Sequence, residues 1–148
     1  MKTFLWKEFL QKHPTFATVR DEKRIDGLLE DEVSWERTYA KDEVIIPQAG
    51  VGDSIFIIGA GSAEAVLELS AGGAPIPLSV MRRGEVFGEM ALLERRARSA
   101  TVRAKEPCTV LEIRGADFEH LMADYPDIEF RLLLKRSEER RVGKECRL

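Results

Sequence analysis

Cysteine and histidine are scarce in this chain, and their scarcity excludes several kinds of chemistry. Two cysteines, Cys108 and Cys146, supply neither a disulfide framework nor a metal-ligand cluster. A reducing compartment, the cytoplasm, is the simpler expectation. The two histidines, His13 and His120, fall in no triad or metal pattern. A hydrolase would need a metal cluster or an activated nucleophile, and a haem sensor a placed axial ligand. The chain is therefore expected not to be an enzyme and to carry no cofactor. No run approaches the roughly 18 apolar residues of a membrane-spanning helix. The first residues, MKTFLWKEFLQKHP, lack the apolar core and small-residue cleavage site of a signal peptide. A glycine-rich triphosphate loop of the form GxxxxGK[ST] is also missing.

What is present fits one compact domain. The 148 residues are 44% hydrophobic and 33% charged, and a chain of this size buries roughly 70% of its extended surface on folding. The formal net charge is −3, so no global basic surface points to nucleic acid. The charge is uneven. Residues 131–148 carry seven basic residues against three glutamates, which leaves the rest clearly acidic. That basic end reads either as a solvated helix face with a frayed tail or as a contact for an acidic partner.

Periodicity divides the chain into helix, strand and helix. Phe4, Leu5, Phe9 and Leu10 predict one apolar face of a short helix ended by His13-Pro14, and Glu22 to Glu30 a second, with Ile25, Leu28 and Leu29 at helical spacing. Trp6 and Phe16 are expected to pack these helices onto the domain. Strand character then appears at 34–39, 43–47, 54–58, 64–70, 75–81, 99–104 and 109–114. Turn signals separate these runs at Lys41-Asp42, Gly50-Val51-Gly52-Asp53, Gly59-Ala60-Gly61, Gly72-Gly73 and Arg83-Gly84. Short, evenly spaced strands without intervening helices predict an antiparallel sandwich or barrel. Helix returns over Ala116–Ala123, with Phe118, Leu121 and Met122 on one side. After Tyr125-Pro126 a last helix carries two apolar stripes, one through Ile128 and Leu132, the other through Phe130 with Leu133 or Leu134. The expected organisation is a helical segment 1–30, a β domain 31–114 with a distinctive segment 84–102 inside it, terminal helices 115–141 and a tail 142–148.

That segment reads GEVFGEMALLERRARSATVRA from Gly84. A helical turn starting at Gly88 offers backbone N–H groups with no intrahelical partner, and glycine lets an anion come close. Arg98 opens an apolar strand, where its planar fork can pair with a phosphate. Ser99 adds a hydroxyl, and Glu89 an acceptor suited to a sugar hydroxyl. Taken singly, each residue has an ordinary explanation: Arg98 paired with Glu89 or Glu94, Glu89 solvated, Ser99 on a strand surface, Gly88 in a turn. Their joint spacing points to a phosphate site beside a ribose site, scaled to a single negative charge.

The string resembles the phosphate-binding cassette of the cyclic nucleotide-binding domain, F-G-E-x-A-L-x(5)-R-[SAT]-A-T-V, here Phe87-Gly88-Glu89-Met90-Ala91-Leu92 and Arg98-Ser99-Ala100-Thr101-Val102 with no gap. The resemblance extends more loosely over residues 20–140, through Gly52-Asp53, Phe56-Ile57-Ile58 and Gly61. Ala49 stands where many members have glycine, and Ala97 where proline is common. The resemblance implies a mainly β fold, an antiparallel β jelly roll with N-terminal helices, a short cassette helix and C-terminal helices. It implies that Glu89 accepts from the ribose 2′-hydroxyl and that Arg98 and Ser99 hold the phosphate. Backbone of Gly88, Met90, Ala91 and Ala100 would line the pocket, with Leu132, Leu133 or Leu134 as lid. Ser99 resembles cAMP receptors, so cAMP is the expected ligand and cGMP the alternative. Binding would draw the last helix over the pocket and signal to an effector protein or a second copy. A helix-turn-helix after Arg141 has no room, so DNA binding is not expected. A degenerate jelly roll that binds proteins without nucleotide is the competing reading, as is a cGMP-preferring fragment of a channel or kinase.

Overall fold

The computed structural model describes residues 2–48, 52–89 and 100–134. The cassette residues Met90, Ala91, Arg98 and Ser99, the turn at Gly50-Val51, Cys146 and the basic residues beyond 134 lie outside these.

Among the described residues, eight antiparallel strands form two four-stranded sheets. They are β1 (Ser34–Tyr39), β2 (Val44–Ile46), β3 (Ile55–Ala60), β4 (Ala63–Leu67), β5 (Ile76–Met81), β6 (Val86–Phe87), β7 (Thr101–Ala104) and β8 (Cys108–Ile113). One sheet runs β1-β8-β3-β6 and the other β2-β7-β4-β5. This is the expected jelly-roll sandwich, with all seven anticipated strands present, their ends shifted by up to three residues, and one more, β6, that sequence pattern does not announce. Two residues carry too little periodicity to signal a strand. Val86 and Phe87 are strand because they pair with Ile57 and Phe56 of β3.

The Gly59-Ala60-Gly61 turn needs correction. β3 continues through Gly59 to Ala60, and only Gly61, at φ +81°, leaves the strand. Gly59 lies at a register shift of β3 against β8, between Ile58 and Ala60, and an aromatic ring rests on it: a Cβ there would meet the Trp6 ring at 2.6 Å.

Helices cover one face. They are α1 (Trp6–Lys12), a 3₁₀ turn (Pro14–Phe16), α2 (Glu22–Leu28), α3 (Gly115–Asp124) and a last helix, α4, described over 126–134. Asp21 caps α2 by accepting from the Lys23 N–H at 3.0 Å. The inward face of α1 differs from expectation. The helix begins only at Trp6, so Leu5 precedes it and is 72% exposed, while Trp6 and Leu10, at i and i+4, are buried.

Burial separates into two cores. Trp6, Leu10, Phe16, Ile25, Phe118, Leu121, Ile128 and Leu132 pack with Ile55, Ile57, Leu111 and Ile113 between the helices and the first sheet. Ile46, Phe56, Ile58, Met81, Phe87, Val102 and Val110 fill the space between the sheets. The alternation along β3 explains the split, since Ile55 and Ile57 face the helices while Phe56 and Ile58 face the other sheet.

The N-terminal segment is locked onto this scaffold by Glu36 of β1. Its carboxylate accepts from the Thr3 N–H at 3.1 Å, the Thr3 hydroxyl at 2.9 Å, the Phe4 N–H at 2.7 Å and the Trp6 indole N–H at 2.8 Å. Partial burial alone would raise its pKa. The donors from Phe4, Thr3 and Trp6 outweigh that and hold it below the ordinary value.

Candidate ligand site in the sheet-bridging cassette

The segment from Gly84 to Thr101 begins in one sheet and ends in the other. β6 delivers it from the edge of the first sheet, beside β3, and β7 receives it in the interior of the second, between β2 and β4. The two described ends of the segment are thus each held by a sheet, a placement suited to binding residues.

Phe87 fixes the entry. Its ring stacks on Phe56 with centroids 5.2 Å apart and planes 10° from parallel, inside the inter-sheet core. The chain then turns at Gly88, whose φ of +85° is a left-handed value that a side chain would disfavour. Glu89 begins helical backbone and is half-buried, as is Ala100 on the return. Of the expected ligand residues the structure therefore describes Gly88, Glu89 and Ala100, all at the two anchored ends.

The exit is fixed by Thr101 of the motif and by a residue, Gln48, that sequence pattern does not single out. Thr101 is 2% exposed, and its hydroxyl accepts from the Gln48 N–H at 3.0 Å. The Gln48 side chain in turn accepts from the Glu68 N–H at 2.7 Å and donates to the Glu68 carbonyl at 3.3 Å. Gln48 thus ties the ends of β2 and β4 to the start of β7. No local signal reveals it, because its partners are distant in sequence.

A third anchor reaches the cassette from the helices. His13 Nδ1 accepts from the Thr15 N–H at 3.1 Å, so the ring proton sits on Nε2, which donates to the Gly84 carbonyl at 2.5 Å. Pro14, the next residue, offers its carbonyl to Arg131 of α4. Thr18 and Asp127 are hydrogen-bonded at 2.6 Å, and Arg24 and Asp124 pair at 2.5 Å. The N-terminal segment therefore touches both the start of the cassette and the last helices.

Phe87 and Val102, at the two described ends of the cassette, both belong to the apolar inter-sheet core. Leu132, one candidate lid, is buried among the helices, whereas Leu133 and Leu134 of α4 are exposed. Among the described residues no group of three or more His, Cys, Asp or Glu side chains is placed to hold a metal. The Cys108 thiol is pushed up by burial and further by Glu106 and Glu43, which suits a packing residue and not a nucleophile. No described helix is long and apolar enough to cross a membrane.

A jelly roll whose glycine-led cassette joins its two sheets defines a binding domain for a small ligand. The chain belongs to the cyclic nucleotide-binding domain family, which it matches over residues 36–125. The family is a regulatory, ligand-binding one, and the chain is a domain of that kind and not a catalyst. It is 39% identical over 69 residues to the cAMP-activated global transcriptional regulator CRP of Escherichia coli O6:H1, a match covering 46% of this chain and 33% of that protein. The regulatory domain of Toxoplasma gondii PKA, solved with cAMP, superposes with a TM-score of 0.74 at 26% identity, covering 90% of this chain and 49% of that one. Thermus thermophilus catabolite activator protein superposes at 0.70 with 25% identity, covering 90% and 62%. The matched stretch thus spans about a third to under two thirds of these relatives.

Proposed function

We propose that this chain is a cAMP-responsive sensor domain. The observation that carries the reading is the ungapped cassette Phe87 to Val102 on a loop rooted in both sheets. In this reading Glu89 accepts from the ribose 2′-hydroxyl, and Arg98 pairs with the cyclic phosphate while Ser99 donates to it. Backbone groups of Gly88, Met90, Ala91 and Ala100 surround the ligand. The base lies toward the apolar inter-sheet core. Leu133 or Leu134, exposed on α4, supplies the lid in preference to Leu132, which is already committed to the helical core. Two of the relatives are described by their association with cAMP, which supports this nucleotide over cGMP.

Signalling follows if cAMP binds the closed arrangement better than the open one, since a ligand shifts an equilibrium only by its differential affinity. The His13 and Pro14 contacts provide a physical route from Gly84 to α4. The output partner is an effector protein or a second copy meeting the exposed face of α4. Amide chemical shifts recorded with saturating cAMP test this. The reading expects changes at Gly88, Glu89 and Ala100 and also along 126–134. Changes confined to the cassette would refute the coupling while leaving binding intact.

A further inference from the structure

A groove of about 750 Å³ lies apart from the inter-sheet core, between α1 and the β5–β6 turn. Its apolar wall is made by Phe4, Leu5, Phe9 and Pro14, with Arg83 facing them. Exposed apolar surface is unremarkable residue by residue, but contiguous surface around a concavity is how ligand sites are built. Phe4 and Phe9 are half-buried, and Leu5 and Pro14 are exposed.

The polar groups around the groove are already used, with one exception. His13 is committed to Gly84 and Thr15. Glu8 and Lys12 neutralise each other at 2.8 Å. Arg83 stands over the Phe9 ring, its guanidinium carbon 5.5 Å from the centroid, and among the described residues it has no carboxylate partner. An arginine held on an aromatic face keeps its N–H edges open for a planar anion. Inorganic phosphate would have no use for the apolar wall, and a neutral hydrocarbon none for the guanidinium.

We propose that this groove is a second ligand site that takes an amphipathic carboxylate, such as a free medium-chain fatty acid, with the carboxylate on Arg83 and the tail along Phe9, Phe4 and Leu5. The site borders the first residue of the cassette segment, Gly84, but does not rest on cyclic nucleotide binding.

The test is titration of the full chain with decanoate below its micelle concentration, followed by calorimetry and by amide shifts. Decanol and acetate serve as the uncharged and tailless controls. One saturable decanoate site is expected, with shifts at Phe4, Leu5, Phe9, Arg83 and Gly84. Decanol should bind about tenfold more weakly, because it loses the charge-assisted pairing, and acetate should not saturate. Arg83→Gln should weaken decanoate to the level of decanol. Leu5→Asp should abolish binding, and both positions are exposed, so both variants should fold. Absence of saturable binding, shifts elsewhere on the chain, or an Arg83→Gln variant that binds decanoate unchanged would each overturn the proposal.

Discussion

Glu36→Ala should cost the domain about 2 kcal/mol, and the number can be worked from four hydrogen bonds. Two of the donors, the Thr3 N–H and hydroxyl, sit on exposed chain and regain water when the carboxylate is removed. The Phe4 N–H is partly buried, and the Trp6 indole N–H belongs to a side chain only 1% exposed. A buried donor left unsatisfied costs about 1–3 kcal/mol, so the indole dominates. Glu36→Gln keeps an acceptor oxygen and should cost about half as much, losing chiefly the charge-assisted part. Urea unfolding followed by tryptophan fluorescence reads this as a midpoint shift of roughly 1 M for the alanine variant. The pH dependence has a definite sign. The folded carboxylate titrates below its ordinary value, so its stabilisation is complete above the unfolded pKa of about 4.3. The charge-assisted part is lost as pH falls through the folded value. The gap between wild type and Glu36→Ala should therefore be full at neutral pH and shrink in acid. A loss under about 0.5 kcal/mol, or a gap that does not shrink once the wild-type carboxylate is protonated, would refute the reasoning.

Other expectations concern the cassette and its roots. Arg98→Ala should lower cAMP affinity by roughly 30- to 5,000-fold, the range for cutting one partner of a buried charge pair, with unfolding unchanged; unaltered affinity in a titration would exclude Arg98 as the phosphate ligand. Glu89→Gln should weaken cAMP less, since it keeps an acceptor, and competition assays can rank the two. Phe87→Ala should destabilise the fold by about 3–5 kcal/mol in chemical denaturation, because it removes a buried ring stacked on Phe56; a much smaller loss would mean that this edge of the sandwich is not packed as described. Thr101→Val should cost about 1 kcal/mol by stranding the Gln48 N–H, and should reduce cAMP affinity several-fold if that bond sets the return of the cassette.

Much of the fold was legible because each sheet face alternates. Ile55 to Ile58 send successive side chains to two different cores, and such a run with glycine-rich turns around it reads as strand before any contact is known. Phe118, Leu121 and Met122 likewise marked the buried side of α3. What escaped depends on tertiary pairing. Val86-Phe87 is a strand only beside β3, and Gly59 stays in β3 because Trp6 lies on it. The same holds for Leu5 and Trp6. Trp6 was expected to pack inward and does, but the apolar pattern also put Leu5 on the inward face; only the indole finds a seat at Gly59 and an acceptor at Glu36. The cassette was legible as a string, because its chemistry lies in consecutive residues. Its supports were not, since His13 to Gly84 and Gln48 to Thr101 join positions far apart in the chain.

The most direct test is calorimetric titration of the purified, ligand-free chain with cAMP, with 5′-AMP as the control that keeps the base and ribose but opens the phosphate ring. The account predicts a single saturable cAMP site and much weaker 5′-AMP binding. A folded chain that binds neither cAMP nor cGMP would contradict it and leave the jelly roll as a protein-contact domain with an unused cassette.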